Sequence, residues 1–351
     1  MYNADKDLAI HLGEKVNPPG TRNSIVYWLQ KQVAKESLKL KRDFASRDEW
    51  ESCKAGLRKK LIDTIGFPQF PAAKPGCIRA RIRLGEDVVV ERVDVYADED
   101  YAIPAFVFSP LNPPRKAMPA LIWSPGWPQT KWEKSYELFG ERMAKQGFVV
   151  LIPDHAPFGE TAEQNQELLS RTTLVNSAGM LIGISQLAFR AAENIRCKEY
   201  LKQRADVMPD KIALAGLCQG GQDTWLAAAI DDEFCAAAPF CAQSTFTVHM
   251  TEMSSYRVNG DPTPFPFGIL KVCDVEHLFG CIAPRPLLVR SNLPDDWWPI
   301  SGFDDIESFT RKIYKLYGCE DKIDFRAEVN VHDLYGPFAD ALEEFLKKVC
   351  Q

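Results

Sequence analysis

The chain has 351 residues, 46% hydrophobic and 26% charged, enough apolar side chain for a sizeable core without disulfides or a structural metal. Its net charge of -6 argues against a nucleic-acid partner, and the densest basic run, Lys35 to Arg42, is interleaved with Glu36, Leu38 and Leu40 as a solvated helix face would be. No apolar run approaches the roughly 18 residues that cross a bilayer, no apolar leader is visible, and ten scattered cysteines suit a reducing compartment; a cytoplasmic protein without a membrane partner is expected.

Residues from about 23 to 66 read as helical, with Ser46-Arg47-Asp48-Glu49 matching a capping box. The Pro-rich piece GFPQFPAAKPG, Gly66 to Gly76, breaks regular structure, so residues 1–75 are expected to form a helical extension ahead of a main body at 76–351. Strand-like runs follow: RARIRL, VVVERVDVY, AIPAFVFSP and MPALIWSPG. A helix is expected over Trp132 to Gln146, then the strand FVVLIPD, a long helix around Leu181 to Lys202 and the strand KIALAG. A helix continues over Asp223 to Ile230, and further strands are expected at Ala236 to Ala242, Pro286 to Arg290 and Asp324 to Val329. Alternating strands and helices over this length imply an α/β fold, a mostly parallel central sheet with helices on both faces. Ser244 to Gly268 are rich in Pro, Phe and polar groups and fit no simple period; a lid or a subunit contact in a homo-oligomer is the expectation for 243–280.

Within KIALAGLCQGGQDTW, Lys211 to Trp225, a cysteine stands at the end of a strand and the start of a helix. Gly216 and Gly220 flank Cys218 at two residues on each side, and Gly221 follows. A strained turn that lifts one side chain above a sheet leaves no room for β-carbons on its neighbours. The helix that follows points its amino terminus at the same place, which favours a thiolate, and the Gln219 N–H would face a developing oxyanion.

GLCQGG resembles the nucleophile elbow of the α/β-hydrolase superfamily, with cysteine in place of the usual serine, as in dienelactone hydrolases. The flanking layout, helical extension included, is more similar to acetyl xylan esterases and cephalosporin deacetylases. The resemblance covers roughly residues 76–351 and implies a nucleophile–acid–histidine order. Of the five histidines, His11 precedes the core, His155 lies in PDHAPFGET before the elbow, and His249 and His277 fall between the elbow and the next clear strand. His332, in VNVHDLYGPF, follows the last strand, where the resemblance places the base. The acid is expected after PLLVR, in Ser291 to Pro299, where Asp295 fits the family pattern and Asp296 is the alternative. Asn292 replaces a usual glycine, a change its tolerance of left-handed backbone would allow. A second oxyanion donor is expected from the Trp127 N–H, in Ser124-Pro125-Gly126-Trp127, where the family's histidine is missing. Trp298 and Tyr335 are the expected substrate-binding residues among the aromatics near these motifs, the others being Trp123, Trp127, Trp132 and Trp297.

The resemblance thus implies acyl transfer by Cys218, His332 and Asp295 on a small-molecule ester, lactone or thioester, a chemistry that needs neither metal nor organic cofactor. Cys53, Cys197, Cys235, Cys241 and Cys350 read as buried structural residues. Cys273, His277 and Cys281 share a spacing of four, but Gly280 and Pro284 should end the helix before Cys281, so a zinc face is not expected. C–C bond hydrolysis, lyase chemistry and a disabled binding protein are the alternatives the same scaffold allows.

Overall fold

The computed structural model describes residues 25–71, 76–162, 167–251, 265–295 and 297–350. His11 and Asp296 therefore lie outside the described residues, as does the middle of the expected lid. The chain opens with two helices, α1 (Ile25–Leu40) and α2 (Arg47–Ile65). Ser46 Oγ accepts from the Glu49 N–H at 3.2 Å, as the capping motif predicts. The return bond is displaced by one residue, since Glu49 Oε2 accepts from the Ala45 N–H at 3.0 Å.

Nine strands form one sheet: β1 (Cys77–Leu84), β2 (Val88–Tyr96), β3 (Ala102–Pro110), β4 (Met118–Ser124), β5 (Val149–Pro153), β6 (Val207–Leu217), β7 (Ala236–Phe240), β8 (Leu287–Asn292) and β9 (Ile323–Glu328), in the order β1-β2-β3-β5-β4-β6-β7-β8-β9. The first three and the β3–β5 junction are antiparallel; every pair from β5 to β9 is parallel. Strands β4, β5, β7 and β8 are buried at every position, because helices cover both faces. The edge strand β1 is mostly exposed, and its Arg79, Arg81 and Arg83 guard an unpaired edge.

Each face has its own core. One side packs α2, α5 (Gln186–Lys202), α6 (Gln219–Ile230), α8 (Val275–Ile282) and α9 (Ile300–Leu316) against the sheet. The other packs α3 (Lys134–Lys145) and α10 (Pro337–Cys350). Residues 243–280 contribute α7 (Phe246–Thr251) and α8, with a short 3-10 turn at Ile269–Lys271.

Two expectations need correction. The long helix at 181–202 is two elements, α4 (Leu168–Ile182) and α5, crossing at 93°. Gly183 turns at φ 79°, Ser185 caps α5 by accepting from the Ala188 N–H, and its own N–H bonds Ile65 O at 3.0 Å. The break thus docks on the end of α2, where a β-carbon on Gly66 would stand 1.7 Å from Gly183 O. Second, α8 continues through Cys281. Its His277 is engaged in capping the helix with Asp274, and Cys273 and Cys281 are core side chains. Among the described residues no single helix is long and apolar enough to cross a membrane.

The second amino-terminal helix, α2, is part of the core. Trp50 is fully buried, with its ring edge-on to Phe44 at 4.9 Å and Phe309 at 5.9 Å, and Lys54 Nζ donates to Ala283 O at 3.1 Å. Trp50→Ala should cost about 3–5 kcal/mol and leave one cooperative transition in denaturant unfolding. An early, separate loss of helical signal with the remainder intact would show that the helical layer stands apart.

Candidate active site

Strand β6 runs between β4 and β7 and ends at Leu217. Cys218 follows at φ 57°, ψ -122°, and α6 begins with Gln219. The turn is held from both sides: the Cys218 N–H donates to Phe240 O at 2.9 Å, and its carbonyl accepts from the Gln222 N–H at 3.1 Å. The glycines are there for contact. A β-carbon on Gly216 would lie 2.3 Å from Gly220 O, and one on Gly220 would lie 1.9 Å from Ser124 O. Cys218 is left half-exposed above the sheet. Among the described residues only Cys241, at φ 47°, shares its non-glycine positive φ. A residue in so sparsely populated a region costs on the order of 1–3 kcal/mol.

The loop after β8 brings Asp295 to the same end of the sheet. Asn292 does not use left-handed backbone; it stays in β8, and its Nδ2 donates to Pro294 O at 3.2 Å, which shapes the turn through a side chain instead. Asp295 Oδ1 accepts from the Trp297 N–H at 2.8 Å and the Trp298 N–H at 3.3 Å. Its Oδ2 lies 3.4 Å from His332 Nδ1. His332 stands on the loop between β9 and α10, which Ser135 Oγ ties to α3 by donating to Asp333 Oδ1 at 2.9 Å. Burial works against a charged His332, but the neighbouring Asp295, Cys218 and Cys241 side chains outweigh it and hold the imidazole well above its ordinary range. Cys218, Asp295 and His332 are therefore brought together.

Cys241 is the neighbour that sequence reasoning missed. It is fully buried at the end of β7, and burial pushes its thiol up while His332 pulls the other way. One donor atom from each of Cys241, Asp295 and His332 lies within 4.8 Å of the others. A signal existed: Leu217 and Phe240 are register partners on adjacent parallel strands, and a cysteine follows each.

The two expected oxyanion donors sit on segments pressed against the elbow. Gln219 opens α6, and a β-carbon on Gly126, just before Trp127, would come 3.2 Å from Cys218 Cβ. The Gln219 side-chain amide and Trp127 Nε1 are buried without a hydrogen-bond partner. Trp298 is buried, with its ring 5.1 Å from that of His249. Burial drives His249 down to about 4, so it stays neutral beside Asp295. Tyr335 is exposed on the His332 loop, Trp123 is core, and Trp132 is exposed against Phe106.

Beneath the elbow lies a second set of polar residues. Ser124 Oγ is 3.0 Å from His155 Nε2, and His155 Nδ1 is 2.7 Å from Glu193 Oε2. All three are fully buried, so this serine–histidine–carboxylate chain does not meet solvent. Burial drives His155 down to about 3 and Glu193 up to about 8, which leaves the pair without charge. Ser124 also donates to Asp223 Oδ2 at 3.1 Å, and Arg190 bonds both Asp223 (2.9 Å) and Pro125 O (2.8 Å). The network ties the Ser124–Trp127 loop to the elbow helix and to α5.

Residues 103–255 match the Dienelactone hydrolase family. A solved "putative acetyl xylan esterase" from Bacteroides fragilis superimposes with a TM-score of 0.71 over 96% of this chain and 92% of its own, at 19% identity. The chain has the α/β-hydrolase fold. Methylesterase BT1017 superimposes at 0.70 over 91% of this chain and 67% of its own, at 20% identity. Among curated proteins, "Putative hydrolase YtaP" of Bacillus subtilis (strain 168) is 26% identical over 186 residues, 52% of this chain and 58% of its own length. The match thus spans little more than half of that relative. The segments that follow β6, β8 and β9 carry Cys218, Asp295 and His332 respectively.

The raised His332 makes a test by titration. The stabilisation it brings is fully present below about pH 6.5, where the unfolded imidazole is charged too, and is lost as pH rises through the raised folded value. In chelator-treated protein the His332 imidazole NMR signals should stay constant between pH 6 and 8. A midpoint near the unperturbed value would contradict the placing of His332 beside Asp295.

Proposed function

We propose that this protein is a carboxylic ester hydrolase that acts through an acyl-enzyme on Cys218, with His332 as base and Asp295 orienting it. The observation that carries the reading is a half-buried thiol at a strained strand–helix turn, beside an imidazole whose Nδ1 lies 3.4 Å from a buried carboxylate oxygen. The Cys218 thiolate attacks the substrate carbonyl carbon, and the carbonyl electron pair moves to oxygen, where the Gln219 and Trp127 N–H groups stabilise it. Collapse expels the alcohol or thiol, which takes the proton from the His332 imidazolium. Neutral His332 then removes a proton from water, hydroxide adds to the thioester, and Cys218 leaves as thiolate.

Sulfur at this position narrows the substrate. A thiolate leaves more readily than an alkoxide, so the adduct of a simple alkyl ester collapses backwards. Enol lactones, aryl esters and thioesters have leaving groups that compete, and these are the class proposed. Acetyl-sugar esters form the second reading, favoured by a backbone likeness to an acetyl xylan esterase that extends over nearly the whole chain.

A substrate panel across these four classes tests it. Enol lactone, aryl ester and thioester should turn over, and Cys218→Ala should lower kcat/KM by at least about 10⁴-fold, with Asp295→Asn lowering kcat by about 10²–10⁴-fold. Unchanged turnover in folded C218A would refute the nucleophile and leave the lyase reading. A folded parent inert on the whole panel would favour a binding protein.

A further inference from the structure

Acyl transfer gives no task to the second thiol. Cys241 is sealed behind the site, yet its sulfur faces the same carboxylate and imidazole that the reaction uses. We propose that Cys241, Asp295 and His332 form a binding site for a zinc-class divalent cation, and that a cation bound there blocks His332 as a base. Thiolate, imidazole and carboxylate are the donors zinc takes from proteins.

The separation of Asp295 Oδ2 and His332 Nδ1 fits. At 3.4 Å it is longer than an ordinary hydrogen bond, and neither atom has a hydrogen-bond partner although both are buried. Two bonds of about 2.0–2.1 Å diverging at a tetrahedral angle would hold nitrogen and oxygen about 3.3–3.4 Å apart. The Cys241 sulfur lies within 4.8 Å of a ring nitrogen of His332 and a carboxylate oxygen of Asp295, and a tetrahedral zinc with a bond of about 2.3 Å to sulfur would bring these separations to about 3.6 Å, a closing of about 1.2 Å at most.

The supporting contacts are in place. Asp295 Oδ1 is pinned by the Trp297 and Trp298 N–H groups, so Oδ2 is the free oxygen. The Cys241 N–H donates to Arg290 O at 2.8 Å, which fixes the thiol's backbone between β7 and β8. Water completes the fourth position.

The consequence follows from the proton count. A cation entering between Nδ1 and Oδ2 displaces the Nδ1 proton and the Cys241 thiol proton, both released to solvent. The imidazole is then neutral with its remaining hydrogen on Nε2, the nitrogen turned away from Asp295. No lone pair is left to accept a proton from Cys218 or from water. This inhibition rests on the acyl-transfer reading; the binding does not.

The test is a titration of chelator-stripped protein with Co²⁺ as the spectroscopic probe, followed by competition with Zn²⁺. One Co²⁺ per chain should bind with a thiolate-to-metal charge-transfer band that zinc abolishes. The band should persist in Cys218→Ser and vanish in Cys241→Ser, with Cys241→Ser and Asp295→Asn each weakening the metal at least about 10-fold. Zinc should also stop ester turnover, reversibly with a chelator. A band that persists in Cys241→Ser and vanishes in Cys218→Ser would overturn the assignment and place the metal on Cys218. Parent protein that is folded but shows no thiolate band would overturn it outright. Because the spectrum needs no substrate, a positive titration beside an inert substrate panel would separate failure of the hydrolase reading from failure of this one.

Discussion

The backbone at Cys218 turns through φ 57°, ψ -122°, and the rest of the site depends on the packing that holds it there. The turn has no side chain of its own to stabilise it. It persists because Phe240 O receives the Cys218 N–H, and because three glycines let β4, β6, β7 and α6 approach at distances no β-carbon would tolerate. The buried network of Ser124, His155, Glu193, Asp223 and Arg190 then locks the neighbouring loop and helix to one another. Strain of order 1–3 kcal/mol is small beside that collection of contacts.

Parallel strands do the rest of the positioning. With β6, β7, β8 and β9 running in one direction, their carboxyl ends open on a single edge, and the loops that follow must meet there. That is how Cys218 and His332, separated by more than a hundred positions in the chain, come to lie side by side. It is also why Cys241 arrives beside His332 without being a member of any recognisable motif: the strand that delivers it is adjacent to the one that delivers Cys218.

What was legible in the chain follows the range of the interactions. The elbow could be read from GLCQGG because the glycines that its close contacts require all stand within a few residues of Cys218, even though the atoms they meet, Ser124 O and Phe240 O, come from other strands. The strands were legible because burial on both faces writes unbroken apolar runs. His332 and Asp295 were found only through the order that the family resemblance supplies. The 93° break between α4 and α5 was missed because Gly183 reads as a tolerated helix glycine until α2 is packed against it. Asn292 was expected to take the glycine's backbone, and instead its amide bonds Pro294 O from within a strand. The Ser124–His155–Glu193 chain and the environment of Cys241 were illegible for one reason. Each joins buried polar groups from strands and helices far apart in sequence, and no periodicity records such a meeting.

Acyl transfer through Cys218 leaves a covalent trace, so the decisive measurement is the mass of the protein itself. Parent protein mixed with an aryl ester or an aryl thioester, quenched in acid at early times and mapped by peptide, should carry one acyl group on Cys218 that disappears as free acid accumulates. Turnover with Cys218 unmodified at every time, or an acyl group found on Ser124 instead, would contradict the account.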